Sequence, residues 1–319
     1  MIQEGKLARV WSQVVRHLAD GRWYALTMAA RRLHVSPDAL RAALWRFEEW
    51  GAPVQCDSYR GVRFVQPVTL QSGAGARFPL PVQALFVTDS TNTRALFALG
   101  AGLMRRRAWV AEFQTQGRGR AQRRWHQGMG CGVSVSLAFP ASDGVSLEAL
   151  SLQVGLALAE AVQRLGVRGV GLKWPNDVIC QGKKLGGILI EARRAGVVVG
   201  IGLNHLRSRH HTGAITQPIT SLHALLGARC PARSRVLREI LHAVLAELDD
   251  VSATWVTRFA RFDVLEGQAI RVIEAENNTW FGVAEGVDAQ GCLRVSTAQG
   301  LRLCRAGEVS VRLHESVQE

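Results

Sequence analysis

Two short segments of the chain combine cationic side chains with residues that let a ligand approach the backbone. The first, residues 117–125, reads GRGRAQRRW and places four arginines and two glycines between a predicted strand and a tryptophan. Glycines let backbone amides approach an anion, and guanidinium groups bind phosphate or carboxylate oxygens through paired hydrogen bonds. The segment lacks the Lys-Ser/Thr ending of a P-loop. It predicts a loop over a phosphorylated ligand, with a solvated or nucleic-acid-binding loop as the alternative.

The second segment lies at the end of an apolar strand. Residues 173–177 read KWPND, so a lysine, an amide and a carboxylate flank a turn that proline stiffens. Polar groups are costly to bury at such a place without a use for them. Residues 184–187 follow with KLGG, where paired glycines indicate the close approach of a ligand or of another backbone. The structural alternatives are a β-bulge for the glycines and a solvated hairpin end for the lysines.

Short strands and two helices must position these segments. The periodicity predicts helices over 93–103 and 147–165 and strands over 84–88, 109–113, 133–139, 171–174, 177–180, 186–191 and 197–202. The last three strands are joined at Gln181-Gly182 and Ala195-Gly196, which is typical of an antiparallel meander. The central part, residues 82–264 with a further helical stretch over 232–262, is therefore predicted to be mixed α+β and not doubly wound.

The first 65 residues predict three helices and a hairpin. Ser36 is suited to cap the third helix and Pro37 to occupy its first position, with Gly51 beyond its end. Residues 54–65 alternate as a two-stranded wing. This is the layout of a winged helix-turn-helix, and a small helical module for dimerisation or docking is the alternative. Residues 66–81, rich in Gly, Pro and Ser, predict a linker.

The C-terminal part, residues 265–319, changes to short β runs separated by turn residues. The turns fall at Asn277-Asn278, 288–291 and Gln299-Gly300. Runs of this length and spacing predict a small closed β-barrel.

Composition limits the classes of protein that remain. Hydrophobic residues make up 47% and charged residues 20%, which excludes wholesale disorder, and no apolar run reaches a membrane-spanning length. The net charge is +13, of which +11 lies in residues 69–266, so the central part should attract nucleic acid, phosphates or an acidic protein. The six cysteines form no CxxC pair and no metal site is predicted. We expect a cytoplasmic protein with reduced thiols and no membrane partner.

Five segments occur in an order that resembles the biotin–protein ligases. They are DSTN at 89–92, GRGRAQRRW at 117–125, KWPND at 173–177, KLGGI at 184–188 and GIGLN at 200–204. The three-part layout, which includes GEVSVR at 307–312, is similar to family members that also repress the biotin operon. The resemblance implies that biotin and ATP, with Mg²⁺, form biotinyl-adenylate. The biotinyl group then passes to a lysine of a biotin carboxyl carrier domain.

The resemblance also implies roles for individual residues. The implied catalytic residues are Lys184, Arg118 and Asp177. The implied biotin-binding residues are Ser90, Thr91, Asn92, Gln114, Gly117, Arg118, Gly119, Lys184, Gly186 and Gly187. The implied ATP- or adenylate-binding residues are Arg118, Arg120, Arg123, Trp125, Lys173, Asn176, Lys184 and Asn204.

Two departures from the family pattern affect what is expected. Ala121-Gln122 stands where the family loop usually continues Arg-Gly, which removes one hinge and one charge. In the third helix, Pro37 and Ala42 replace basic residues of the repressor and Asp38 adds a negative charge. The candidate DNA contacts are Arg41, Arg46, Arg60 and Arg63, which suit phosphates better than bases. Binding to a DNA operator, and a homodimer, are left open.

Two other functions compete with this interpretation. A lipoyl or octanoyl transferase of related fold would also acylate a carrier lysine, but it lacks the arginine loop followed by tryptophan and the KWPND turn. A non-catalytic winged-helix transcription factor that senses a ligand would have no need of Lys184 and the arginine loop.

Overall fold

The computed structural model describes residues 2–65, 77–147, 149–207, 217–250, 254–274, 278–306 and 310–313. The predicted linker therefore lies mostly outside the described residues, as does the start of the GEVSVR segment. Within the described part of the chain, no helix is long and apolar enough to cross a membrane.

Three helices and a hairpin form the N-terminal part. They are α1 (Ile2–Leu18), α2 (Leu26–Arg32), α3 (Pro37–Glu49), β1 (Val54–Asp57) and β2 (Gly61–Phe64), with β1 and β2 antiparallel. Ser36 caps α3 as predicted, since its Oγ accepts a hydrogen bond from the Ala39 amide at 3.2 Å. Trp11 packs edge-on against Phe47 and Phe64, and all three side chains are buried. These contacts form a small core of their own.

This N-terminal core continues into the central part. The ring of Trp50, just beyond α3, stacks on Phe113 at 5.3 Å between centroids and meets Phe86 edge-on. The Trp50 carbonyl accepts a hydrogen bond from the Met129 amide at 2.8 Å. Met129 is fully buried in the same apolar cluster as Trp11 and Phe47. The two parts are therefore joined by aromatic packing as well as by the chain itself.

A seven-stranded sheet forms the centre of the molecule. Its strands are β3 (Val82–Thr88), β4 (Arg107–Gln114), β5 (Gly132–Pro140), β6 (Val170–Lys173), β7 (Asp177–Cys180), β8 (Lys183–Arg193) and β9 (Gly196–Asn204). The strand order is β3-β4-β5-β9-β8-β7-β6, in which β3 and β4 are parallel and every other pair is antiparallel. The predicted mixed α+β class and the predicted meander of β7, β8 and β9 are both confirmed.

Helices cover the two faces of this sheet unequally. The helices are α4 (Thr91–Gly100), α5 (Leu150–Arg164), α6 (Leu222–Leu226), α7 (Arg233–Asp249) and α8 (Trp255–Ala260). Alternate residues of β5 and β9, such as Val135 and Ile201, join the large core that includes α5 and α7. The opposite residues of the same strands include Ser134, Ser136 and Gly202. Small and polar residues thus leave room on the α4 face, which is where a ligand can lie.

The C-terminal part is a five-stranded antiparallel sheet. Its strands are β10 (Ala269–Ile273), β11 (Thr279–Val287), β12 (Leu293–Thr297), β13 (Gly300–Cys304) and β14 (Ser310–Leu313), in the order β13-β12-β11-β10-β14. The predicted closed barrel was wrong for the described strands, because β13 and β14 are both edges. These two strands are short, and Leu301 and Leu303 of β13 remain exposed. The inner face joins the main core, and Trp174 Nε1 donates to the Gly291 carbonyl at 3.1 Å.

Candidate active site

The start of α4 contributes a cluster of buried polar residues on the α4 face of the sheet, which we call the pocket floor. Ser90, Thr91 and Asn92 are each at most 4% exposed. The parallel register of β3 and β4 brings Gln114, at the end of β4, beside them. Gln114 Oε1 accepts hydrogen bonds from the Thr91 amide at 2.8 Å and from Thr91 Oγ1 at 3.1 Å. These four predicted biotin-binding residues therefore lie together.

The arginine loop folds into a narrow hairpin above this floor. The Trp125 amide donates to the Gly117 carbonyl at 2.9 Å, and the Gly119 amide donates to the Arg123 carbonyl at 2.8 Å. A Cβ on Gly117 would overlap the Trp125 carbonyl oxygen, so this position requires glycine. Ala121 and Gln122 at the tip have φ of 49° and 57°, in the left-handed region that favours glycine. The departure from the family pattern thus falls where the backbone turns.

Trp125 lies directly on the glycine-lined part of the sheet. Its ring contacts Gly202 of β9 so closely that a Cβ on Gly202 would overlap the indole. The ammonium of Lys184 lies 5.8 Å from the centroid of the Trp125 ring. The indole Nε1 of Trp125 is buried and donates no hydrogen bond to a described atom.

Lys184 and Asp177 form a sheltered ion pair at the centre of the site. Lys184 Nζ lies 2.7 Å from Asp177 Oδ1, and the side chains are 17% and 21% exposed. β8 carries one extra residue between its pairings with Val178 and Ile179, and this bulge turns Lys184 toward Asp177. The bulge is the structural alternative that the sequence left open for the paired glycines.

The paired glycines serve the protein's own packing. A Cβ on Gly186 would lie 2.8 Å from the Gly202 carbonyl oxygen, and one on Gly187 would lie 3.3 Å from Lys184 Cε. The sequence predicted the close approach of a ligand or of another backbone. The structure shows another backbone close to Gly186 and the Lys184 side chain close to Gly187. Gly187 faces the site next to Gly202, its register partner on β9.

Further predicted ATP contacts surround the ion pair. Arg120 Nη1 donates to Asn176 Oδ1 at 3.2 Å, and burial lowers the pKa of Arg120 from its ordinary value. Burial, followed by the charge of Arg312, lowers the pKa of Lys173, which lies at the end of β6. Asn204, buried at the end of β9, directs its Nδ2 to the Lys184 carbonyl at 3.4 Å. Arg123 is exposed on the loop. A partly desolvated cationic site of this kind favours an anionic ligand.

Two polar residues of this site were missed from the sequence. Glu191 accepts hydrogen bonds from Arg118 Nη2 at 2.7 Å and from Asn92 Nδ2 at 2.8 Å. Ser136 Oγ bonds Thr91 Oγ1 at 2.7 Å and Asn92 Oδ1 at 2.5 Å. For Ser136 the sequence did contain a signal, a hydroxyl within the apolar strand 133–139, because buried polar groups require hydrogen-bond partners.

The candidate DNA contacts lie in the N-terminal part, on other elements. Arg41 pairs with Asp38 at 3.2 Å and Arg46 with Glu49 at 2.8 Å, so both arginines of α3 are engaged with carboxylates of the same helix. Arg63 donates to Gln55 Oε1 at 2.9 Å, and Arg60 lies at the hairpin tip between β1 and β2.

Comparisons with known proteins identify the family of this chain. Residues 85–204 match the Biotin/lipoate A/B protein ligase family, and residues 267–312 match the Biotin protein ligase C terminal domain. The chain is 32% identical to a biotin--[acetyl-CoA-carboxylase] ligase of Paracoccus denitrificans over 70% of this chain and 97% of that one. It is 28% identical to the bifunctional ligase/repressor BirA of Escherichia coli over 95% of this chain and 97% of the relative.

A solved structure gives the same result for the fold. The biotin protein ligase of Aquifex aeolicus in complex with biotin and ATP superposes with a TM-score of 0.66 at 26% identity, over 73% of this chain and 99% of that one. The matched range 85–204 includes the start of α4, the arginine loop and Lys184. The chain belongs to the biotin protein ligase family.

Proposed function

We propose that this chain is an ATP-dependent ligase that attaches biotin to a lysine of a biotin carboxyl carrier domain. In the first step, a biotin carboxylate oxygen attacks the α-phosphorus of ATP. The bond from the α-phosphorus to the bridging oxygen breaks, and pyrophosphate leaves. In the second step, the carrier lysine amine attacks the acyl carbon of biotinyl-adenylate. An amide forms, the lysine loses a proton, and AMP leaves.

One observation carries this proposal more than any other. Lys184 and Arg120 are held at two neighbouring residues, Asp177 and Asn176, and Arg118 is held at Glu191, on the same strand as Lys184. Two anions must meet in the first step, so cationic groups near both stabilise the charge that develops in the transition state. The contacts of Lys184 and Arg120 are partly buried, which reduces the reorganisation needed when the anions bind.

The remaining residues supply binding and shelter. Ser90, Thr91, Asn92 and Gln114 offer donors and acceptors to the polar head of biotin. Gly117 and Gly119 let the two arms of the loop approach each other, and we also assign Gly186 and Gly187 to the biotin side of the site. Arg123, Trp125, Lys173, Asn176 and Asn204 are assigned to ATP or the adenylate. The loop at 117–125 covers the reactive anhydride and keeps water away from it.

Mg²⁺ is assigned to the bound triphosphate. Among the described residues, no group of three or more His, Cys, Asp and Glu side chains is placed to hold a metal ion. Mg²⁺ commonly binds nucleotide phosphates with one or two protein carboxylates, and Asp177, with the Asn176 amide beside it, suits that donor set. When bound, the ion would neutralise phosphate charge. ATP as a substrate agrees with the cytoplasmic location that the sequence predicts.

The N-terminal part has the element order of a winged helix-turn-helix, and we assign it at most weak, nonspecific DNA binding. Arg41 and Arg46 are paired with carboxylates of α3, and Trp45 on the same helix is 78% exposed. The Escherichia coli relative is named a ligase and a repressor, so DNA binding by this chain is worth testing. An anisotropy titration at about 150 mM salt should give equal, steeply salt-dependent binding to a biotin-biosynthesis promoter and to scrambled DNA. A large adenylate-dependent preference for the promoter would show instead that the chain binds a specific operator as a repressor.

A lipoyl or octanoyl transferase is the second candidate, since the matched family includes lipoate ligases. A transfer assay tests the choice. Purified chain, ATP and Mg²⁺ are incubated with a biotin carrier domain and with a lipoyl domain, each offered biotin, lipoate or octanoate. Mass spectrometry should show one biotinyl group on the carrier lysine and none on its Lys→Arg variant. Acylation of the lipoyl domain alone would support the second candidate.

A further inference from the structure

A partly buried carboxylate that the reaction scheme does not use lies between the pocket floor and the arginine loop. Glu191 belongs to β8, and its side chain is 11% exposed. Its Oε1 accepts from Arg118 Nη2 at 2.7 Å, and its Oε2 accepts from Asn92 Nδ2 at 2.8 Å. One carboxylate oxygen therefore contacts the arginine loop, and the other contacts the pocket floor.

The hydrogen-bond chain continues across the pocket floor. Asn92 Oδ1 lies 2.5 Å from Ser136 Oγ, and Ser136 Oγ lies 2.7 Å from Thr91 Oγ1. The Thr91 amide in turn donates to Gln114 Oε1, so that the Thr91 hydroxyl can donate to Ser136 Oγ and the Ser136 hydroxyl to Asn92 Oδ1. Asn92, Thr91 and Ser136 are buried, so these bonds compete little with water. An unbroken path of polar contacts runs from the arginine loop to the end of β4.

We propose that Glu191 is a positioning residue that couples the pocket floor to closure of the arginine loop. The inference rests on the proposed function, because it assigns biotin to the floor and the adenylate to the loop. Arg118 has five N–H donors, and a single contact to Glu191 leaves others for an anionic ligand. The carboxylate thus fixes the place of the guanidinium without consuming its capacity to bind the adenylate.

An amide at position 191 disturbs this arrangement. A glutamine has one accepting oxygen, whereas Arg118 and Asn92 are both donors toward Glu191. To compensate, Asn92 would have to invert its amide, and Ser136 Oγ would then have to accept from Asn92 Nδ2 where it now donates to Asn92 Oδ1. Glu191→Gln therefore either breaks one of the two contacts or reverses the bonds of the floor, while Glu191→Asp keeps two acceptors.

A double-mutant cycle on the full chain tests this coupling. The measured quantity is the rate at which labelled biotinyl-adenylate dissociates in a chase with unlabelled biotin and ATP. Glu191→Gln should raise this rate on the order of tenfold with Arg118 present and less than about twofold in an Arg118→Ala background, the size expected for a hydrogen bond to a charged group. Glu191→Asp should recover part of the loss.

The controls separate coupling from a merely structural role. Glu285→Gln removes one carboxylate charge from β11 in the C-terminal sheet and should leave the rate unchanged. Equal effects of Glu191→Gln with and without Arg118, or no effect in either, would overturn the proposal. If Glu191→Gln does not fold, the same cycle is run with Glu191→Asp. Absence of biotin-dependent pyrophosphate exchange in the unaltered chain would overturn the proposed function, and this proposal with it.

Discussion

Lys184 Nζ and Asp177 Oδ1 lie 2.7 Å apart at the centre of the site, on strands joined by the bulged meander. The carboxylate holds the ammonium in place while both remain mostly sheltered from solvent. The lysine therefore needs little rearrangement to meet the carboxylate and phosphate oxygens of the two substrates.

Replacing Lys184 should slow the adenylation step. Lys184→Ala removes the central cation and leaves Asp177 unpaired, and loss of one preorganised group of this kind costs about 10²–10³-fold in rate. Biotin-dependent exchange of pyrophosphate into ATP measures the step. Lys183→Ala, at the exposed neighbouring residue, is the matched control and should exchange normally. If the Lys184→Ala chain exchanges pyrophosphate nearly as fast as the unaltered chain, the assignment of Lys184 as the catalytic cation is wrong.

Opening the arginine loop should release activated biotin. Arg120 anchors the loop through Asn176, so Arg120→Gly should leave biotin binding in place but raise the dissociation rate of the adenylate. Released adenylate would label lysines of unrelated proteins, which streptavidin blotting detects. Arg124 is an exposed arginine of the same loop, and Arg124→Ala should not raise the dissociation rate of the adenylate. An Arg120→Gly chain that retains adenylate as well as the unaltered chain does would exclude a lid.

Trp50 should contribute to stability across the boundary between the N-terminal and central parts. Trp50→Ala removes the stack on Phe113 and the contact with Phe86, and it should lower the free energy of unfolding by about 2–4 kcal/mol. Urea titration gives the value. Trp45→Ala, on the exposed face of α3, should change it by less than about 0.5 kcal/mol. Equal effects of the two substitutions would show that the aromatic contact does not join the parts.

His205 should make the chain sensitive to mild acid. Burial, assisted by the charge of Arg233, lowers its pKa from 6.5 to about 4, although the Pro231 carbonyl favours the charged form. Because the unfolded chain takes up the proton first, stability is full above pH 6.5 and is lost as the pH falls toward 4, by up to about 3 kcal/mol. The melting temperature of His205→Gln should therefore fall less between pH 7 and pH 4.5 than that of the unaltered chain. If the melting temperatures of the two chains fall equally with pH, His205 is not the source of the acid sensitivity.

Local signals explain most of what could be predicted from the sequence. The cap at Ser36 depends on neighbouring residues alone, and the structure has it as predicted. The strands 109–113 and 197–202 were recognised as short apolar runs, which is what a strand buried on both faces shows. The family resemblance assigned Lys184, Arg120 and Trp125 to adenylate binding, and in the structure Lys184 lies near the Trp125 ring while Arg120 contacts Asn176.

Tertiary contacts explain what could not be predicted. Helix α5 begins at Leu150 and not at 147, because Ala149 takes a left-handed φ of 52° where it packs against Gly291 of the C-terminal part. Glu191 carried no local signal, since its partners Asn92 and Arg118 lie 99 and 73 residues away in the chain. The prediction of a closed barrel was wrong for the described strands, because the spacing of strands along the sequence does not determine whether the two edge strands pair with each other.

Activation of biotin by this chain is tested most directly by ATP–pyrophosphate exchange with one carboxylic acid supplied at a time. Biotin, lipoate and octanoate are each tested with ATP and Mg²⁺ in the absence of any carrier, so that only the first step is observed. We expect exchange with biotin and none above background with lipoate or octanoate. Exchange with lipoate or octanoate but not with biotin would contradict the assignment as a biotin ligase.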